Sequence, residues 1–125
     1  QATLTALPVQ RIPNPPRFEM TSCCFKHQCA VAGGRTSLGQ SYHSDRVDVW
    51  DGRSWSFASW GEHTLSEGRR AMGAAVLEVT LGEGNQRAVG MFVGGLSNNG
   101  LSQMVDVFDF QAGRVLPRML APTVR

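Results

Sequence analysis

Two stretches of the chain arrange apolar and polar positions in the same order. In the first, the short runs Thr21-Ser-Cys-Cys-Phe25 and Cys29-Ala-Val-Ala-Gly-Gly34 flank the polar turn Lys26-His-Gln28. In the second, Gly73 to Val79 and Ala88-Val-Gly-Met-Phe-Val-Gly-Gly95 flank the longer turn Thr80-Leu-Gly-Glu-Gly-Asn-Gln-Arg87, where Gly82 and Gly84 can take positive φ. Short runs rich in β-branched or small residues, bounded by glycine and polar clusters, predict a β-hairpin in each stretch. Downstream, Arg46-Val-Asp-Val-Trp-Asp51 and Met104-Val-Asp-Val-Phe-Asp109 predict a third strand. Ser54-Trp-Ser-Phe57 and Arg114-Val-Leu116 predict a fourth. Asp48 and Asp106 interrupt one apolar face, as in a half-buried strand. No window of 11 or more residues carries a 3.6-residue apolar stripe, so the expected class is all-β.

The two stretches form a repeat. Gly34 and Gly95 are 61 residues apart (95 − 34), and Val47 and Val105 are 58 apart (105 − 47). The order of the strands is kept while the loops between them change length, as expected of stacked supersecondary units. Leu7-Pro8 ahead of Arg17 is echoed by Leu116-Pro117 ahead of Arg125, and Arg69-Arg70 opens the unit between. The expected division is therefore 1–16, the last strand and linker of a preceding unit; 17–68, one full unit; and 69–125, a second unit running into the start of another.

An arginine opening the unit, a second strand ending in Gly-Gly, a third strand of the Val-x-Val-aromatic-Asp type and a tryptophan in the fourth resemble the kelch repeat. The residues that carry the resemblance are Gly33, Gly34, Trp50, Asp51 and Trp55 in the first unit and Gly94, Gly95, Phe108 and Asp109 in the second. It covers about residues 4 to 125. It implies a partial β-propeller: two four-stranded antiparallel kelch-type blades, with edge strands of neighbouring blades. The tyrosine usual after the double glycine is found only as Tyr42, and Val115 stands where the first unit has Trp55. Propellers close with about four to eight blades, each covering its neighbours' faces. Two blades leave apolar faces open, so further blades are expected in a longer polypeptide, in other copies or in partner proteins.

Charge and composition narrow the function classes. Twelve Lys+Arg against ten Asp+Glu give a net charge of +2, and the arginines are scattered from Arg11 to Arg125. The basic stripe of a nucleic-acid binder is therefore not expected. A hydrophobic content of 42% and mean hydropathy of −0.18 suit a globular chain. Its longest apolar runs fall far short of the ~20 residues of a membrane span. Residues 1–8 lack the basic start and apolar core of a signal peptide. Cys23, Cys24 and Cys29 are an odd number in one segment and do not suggest a disulfide framework. No permitted Asn-x-Ser/Thr acceptor occurs. An intracellular, cytoplasmic setting is expected.

Candidate chemistry is sparse. Cys24-x-x-His27-x-Cys29 offers three soft ligands in a tight hairpin and no fourth, so all three cysteines are expected to be small core residues and no metal site is assigned. The pairs Asp48/Asp51 and Asp106/Asp109 recur at the same place in both units, which points to a structural role in the blade turn. No nucleophile, phosphate-loop or zinc-protease motif is present. No catalytic residue and no cofactor are expected. Variable loops remain: residues 35–45 and 96–103, and the junction Arg69-Arg70. In kelch substrate adaptors, junction arginines contact acidic peptides, so the resemblance makes Arg35, Arg69 and Arg70 expected partner-binding residues, with His43, Asn98 and Asn99 as further candidates in the loops. The alternative is that one junction arginine forms an internal ion pair within the propeller and the others are solvated. The expected function is a non-enzymatic protein-interaction or scaffold segment. The rival is a piece of a kelch-like propeller enzyme or sugar-binding protein, of oxidase or sugar-acid isomerase type, whose catalytic residues lie outside this chain.

Overall fold

A computed structural model describes residues 17–36, 43–57, 64–80, 82–84, 86–116 and 119–120. The strand expected within 1–16, Tyr42, His63, Arg125 and the middle of the 35–45 loop lie outside the described residues. The described part is all-β, built of antiparallel sheets with a single 3-10 turn, Gly82–Gly84. No helix among the described residues is long and apolar enough to cross a membrane.

The first sheet is a four-stranded meander of β1 (Thr21–Phe25), β2 (Gln28–Ala32), β3 (Val47–Trp50) and β4 (Trp55–Phe57), in that order. A two-residue turn with Lys26 at positive φ joins β1 to β2. The second sheet has the order β6 (Gly73–Thr80), β7 (Gln86–Val93), β10 (Met104–Asp109), β11 (Arg114–Val115). The short β12 (Met119–Leu120) also pairs with β10, along its first half. A small third sheet joins β5 (Arg69–Arg70) to the hairpin β8 (Leu96–Ser97) and β9 (Gly100–Leu101).

Side-chain alternation in the registers decides which residues meet between the sheets. Cys23 pairs with Ala30 and Ala30 with Val49, which sets Cys23, Ala30, Ala32, Val47 and Val49 on one face of the first sheet. In the second sheet Phe92 pairs with Asp106 and Gly90 with Phe108, so these four share a face. The two faces pack together through β1 against β6 and β7. Phe92, Phe108, Ala30, Ala32 and Val47 are fully buried in the resulting core. Phe110 closes one end of it, 5.1 Å from the Phe108 ring and 5.9 Å from Phe25.

Consecutive residues of a strand point to opposite faces, and this corrects the cysteine expectation. Cys23 enters the core, where burial pushes its thiol up to about 12. Cys24 turns to the other face and pairs across the hairpin with Cys29, and the two form a disulfide. An odd cysteine count thus hid one cross-strand bridge and one buried thiol, and the cysteines give no reason to prefer a reducing compartment.

The double glycines are sites of close crossing. Gly33 and Gly34 take φ of +72° and +92°, and a Cβ on Gly33 would lie 2.3 Å from the Arg69 carbonyl oxygen. The second pair has the same conformation, with Gly95 at φ +90° against the Arg70 carbonyl. Gly84, at φ +75°, has nothing within 4 Å of such a Cβ. Gly84→Ala should therefore carry only the left-handed backbone cost, about 1 kcal/mol. Gly33→Ala adds a backbone collision and should lose at least ~3 kcal/mol in urea unfolding.

Candidate functional site

Two arginine–aspartate clasps fix the geometry around the site. Arg17 donates to Asp48 at 2.9 Å and, through Nε, to the Gly33 carbonyl at 2.8 Å. One unit later Arg69 pairs with Asp106 and donates to the carbonyls of Gly94 (2.9 Å) and Met104 (2.8 Å). Both guanidiniums and both carboxylates are buried. Asp48 also receives Arg46, and Asp106 the Ser66 amide and hydroxyl. Burial lowers the Arg69 pKa, while the Asp106 and Glu67 carboxylates pull it back up.

These contacts divide the four aspartates that the repeat had grouped in one blade turn. Asp48 and Asp106, in β3 and β10, are buried clasp partners. Asp51 and Asp109 sit at the turns: Asp51 accepts the amides of Arg53 and Ser54, and Asp109 those of Gln111 and Ala112. Those amides, Ser54 first and then Arg53, hold the Asp51 carboxyl below its usual range. Trp50 and Trp55 pack ring to ring at 5.4 Å on the outer face of the first sheet.

Arg69 is withdrawn from the partner-binding set by its complete burial. Four others of that set, Arg35, His43, Arg70 and Asn98, come together. Arg70, next along the chain, donates from Nε to His43 Nε2 at 3.0 Å. Because Nε2 accepts, the ring proton belongs on Nδ1, which donates to Asn98 Oδ1 at 2.5 Å. Arg70 also pairs with Glu19, and Arg35 reaches the second Glu19 oxygen at 3.2 Å. Arg35 lies over the Phe18 ring, 5.0 Å from its centroid, with its Nε enclosed and unpartnered. Asn99 is exposed at the β8–β9 turn, its amide bonded to the Ser97 hydroxyl.

The result is one polar rim running Arg35, Glu19, Arg70, His43, Asn98. It is assembled from the approach to β1, the loops on either side of 37–42, the junction β5 and the β8–β9 hairpin. Arg35, Arg70 and Glu19 remain 19%, 22% and 33% exposed, so the charges face water at the edge of a buried frame. Two guanidiniums share one carboxylate, leaving a surplus positive charge. Glu19, the centre of the rim, was missed in the sequence because it lies outside the repeated motifs. Leu101, 84% exposed, projects from the same hairpin as Asn98.

Among the described residues no group of three or more His, Cys, Asp or Glu side chains could hold a metal ion. No family model and no curated protein matches the chain.

Asp106→Ala would strand a buried guanidinium and should cost about 3–5 kcal/mol in urea unfolding. The apolar double replacement Arg69→Met with Asp106→Leu should recover much of that loss. The rim supplies a pH signature. The Arg70 hydrogen bond, aided by the charges of Arg70 and Arg35, holds Glu19 below its ordinary 4.5. A carboxylate depressed in the folded state stabilises fully above its unfolded value, and that stability is lost as pH falls through the folded one. Thermal unfolding from pH 7 to 2.5 should show Tm falling below about pH 4.5, with a shallower fall in Glu19→Gln.

Proposed function

We propose that this chain is a non-enzymatic protein-interaction segment of a kelch-type β-propeller, two blades of a larger ring, whose polar rim receives an acidic peptide segment of a partner. Three kinds of support bear on this reading. The repeat extends beyond sequence to hydrogen bonds: Gly33 and Gly94 donate to the carbonyls of Arg46 and Met104 (2.9 and 3.0 Å), while the Ser44 and Ser102 hydroxyls accept the amides of those same two residues. Two sheets built by one rule and stacked face to face suit consecutive blades. The loops that follow the double glycines differ between the units and meet at one edge, where binding tolerates variation.

The observation that carries the reading is the surplus cation of the rim. Arg35 and Arg70 are oriented by a shared Glu19, and Arg70 is braced by His43, which Asn98 holds in turn. Positioned guanidiniums suit bidentate contact with carboxylates. An incoming acidic side chain would take over part of the pairing that Glu19 supplies.

Fluorescence anisotropy with labelled octapeptides rich in Asp and Glu tests this. Binding should be weakened by salt, as expected for exposed charges. Arg70→Ala should weaken it about tenfold, equivalent to ~1.4 kcal/mol, while Arg114→Ala, an exposed arginine outside the rim, should leave it unchanged. Indifference to Arg70→Ala, or no binding at millimolar protein, would contradict the reading.

A further inference from the structure

The contact between the two sheets has two unlike sides, and each side has a counterpart on an outer face of the described pair of sheets. Inside the chain, the β1 face carrying Cys23 and Phe25 packs onto the β6–β7 face carrying Gly90 and Phe92. The registers give the correspondences. Cys23 pairs with Ala30 and Ala75 with Met91, while Gly34 matches Gly95, so Ala75 and Leu77 in β6 occupy the places of Cys23 and Phe25 in β1. By the same count Cys29 and Val31 occupy the places of Gly90 and Phe92. Gly73 and Ala75 are exposed and Leu77 is 54% exposed. On the opposite end Ser22 and Cys24 are exposed, and with Cys29, Val31, Trp50 and Trp55 they line an apolar groove of about 290 Å³.

We infer that this disulfide-bearing groove seats the outer β6 face of a second copy of the chain, in a head-to-tail contact that repeats the one between its own sheets. The inference rests on treating the two sheets as equivalent units. Its strongest support is a reversal of sizes. At the internal contact Cys23 enters a notch above Gly90, where a Cβ would come within 2.2 Å of the cysteine sulfur. At the groove that notch is filled by the Cys24–Cys29 disulfide. A face presenting another cysteine would collide there, whereas β6 presents Ala75. One chain therefore carries both a filled notch and the small residue that accommodates it. Such heterologous contacts propagate from copy to copy and give rings when the rotation closes.

Sedimentation velocity on the oxidised 125-residue protein tests this. The wild type should self-associate with rising concentration. Val31→Glu, which blocks the groove, and Leu77→Glu, which blocks the β6 face, should each be monomeric while keeping cooperative unfolding. Ser22→Glu, at an exposed position of the groove, replaces Val31→Glu if that variant does not fold. The equimolar mixture of the two blocked variants should form a 1:1 complex, because each supplies one intact face and the blocked faces repel. A wild type monomeric up to millimolar concentration, or a mixture that stays monomeric, would overturn the inference. Peptide binding at the rim would be untouched by that failure, so the two readings fall separately.

Discussion

Taking a guanidinium and a carboxylate wholly out of water costs several kcal/mol for each ion, and the cost is offset only where both are fully hydrogen-bonded. Arg69 and Asp106 come close to that situation: the two terminal nitrogens of the guanidinium are bonded, while its Nε is enclosed without a partner. The arginine spends donors on Asp106 and on two carbonyls. Its own amide donates to the Ser44 carbonyl, and its carbonyl accepts from Gly34. Side chain and backbone of one residue thus bind both sheets. The chain entering the second sheet then passes directly over the end of β2, and only a residue without a Cβ fits under it, which is where Gly33 stands; Gly34 is confined in the same way by Phe18 and Met20 on the approach to β1. The earlier clasp, Arg17 with Asp48, repeats the side-chain half of this arrangement within the first unit, where Arg17 also donates to the Gly33 carbonyl.

The rim inherits its position from this frame. With Arg69 directed inward, the alternation of an extended segment sends Arg70 outward, toward His43 and Glu19. The pairing of Arg69-Arg70 with Leu96-Ser97 brings the β8–β9 hairpin, and with it Asn98, to the same edge. A buried pair with little freedom therefore orients an exposed set with surplus positive charge. On the proposed reading, the clasp holds the fold and the exposed side chains of that edge choose the partner.

The strands were readable from sequence because their signals are local. Period-two alternation, the double glycines and the repeated Val-Asp-Val runs each act over a few residues, and all lie in strands or at their ends. Clasps and bridges were harder to read because they depend on register. Asp48 looked like a polar interruption of an apolar strand until Arg17, 31 residues earlier, is placed against it. Cys24 and Cys29 differ from Cys23 only in the face they point to, which alternation implies but composition conceals. At the rim, Arg35, His43, Arg70 and Asn98 were identified as loop residues, yet nothing local marks Glu19 as the carboxylate between two arginines. Arg69 and Arg70 are chemically identical neighbours, and only burial separates the structural one from the exposed one.

If the junction holds the two sheets as one unit, its amides should open only when the whole chain unfolds. Native-state hydrogen exchange measures this directly. The amides of Gly34 and Arg69 should exchange with the same free energy as core-strand amides such as those of Ala30 and Phe92, and should share their dependence on denaturant. Exchange of Gly34 and Arg69 at much lower free energy, with the strand amides still protected, would show the sheets parting while each stays folded. That result would contradict the account.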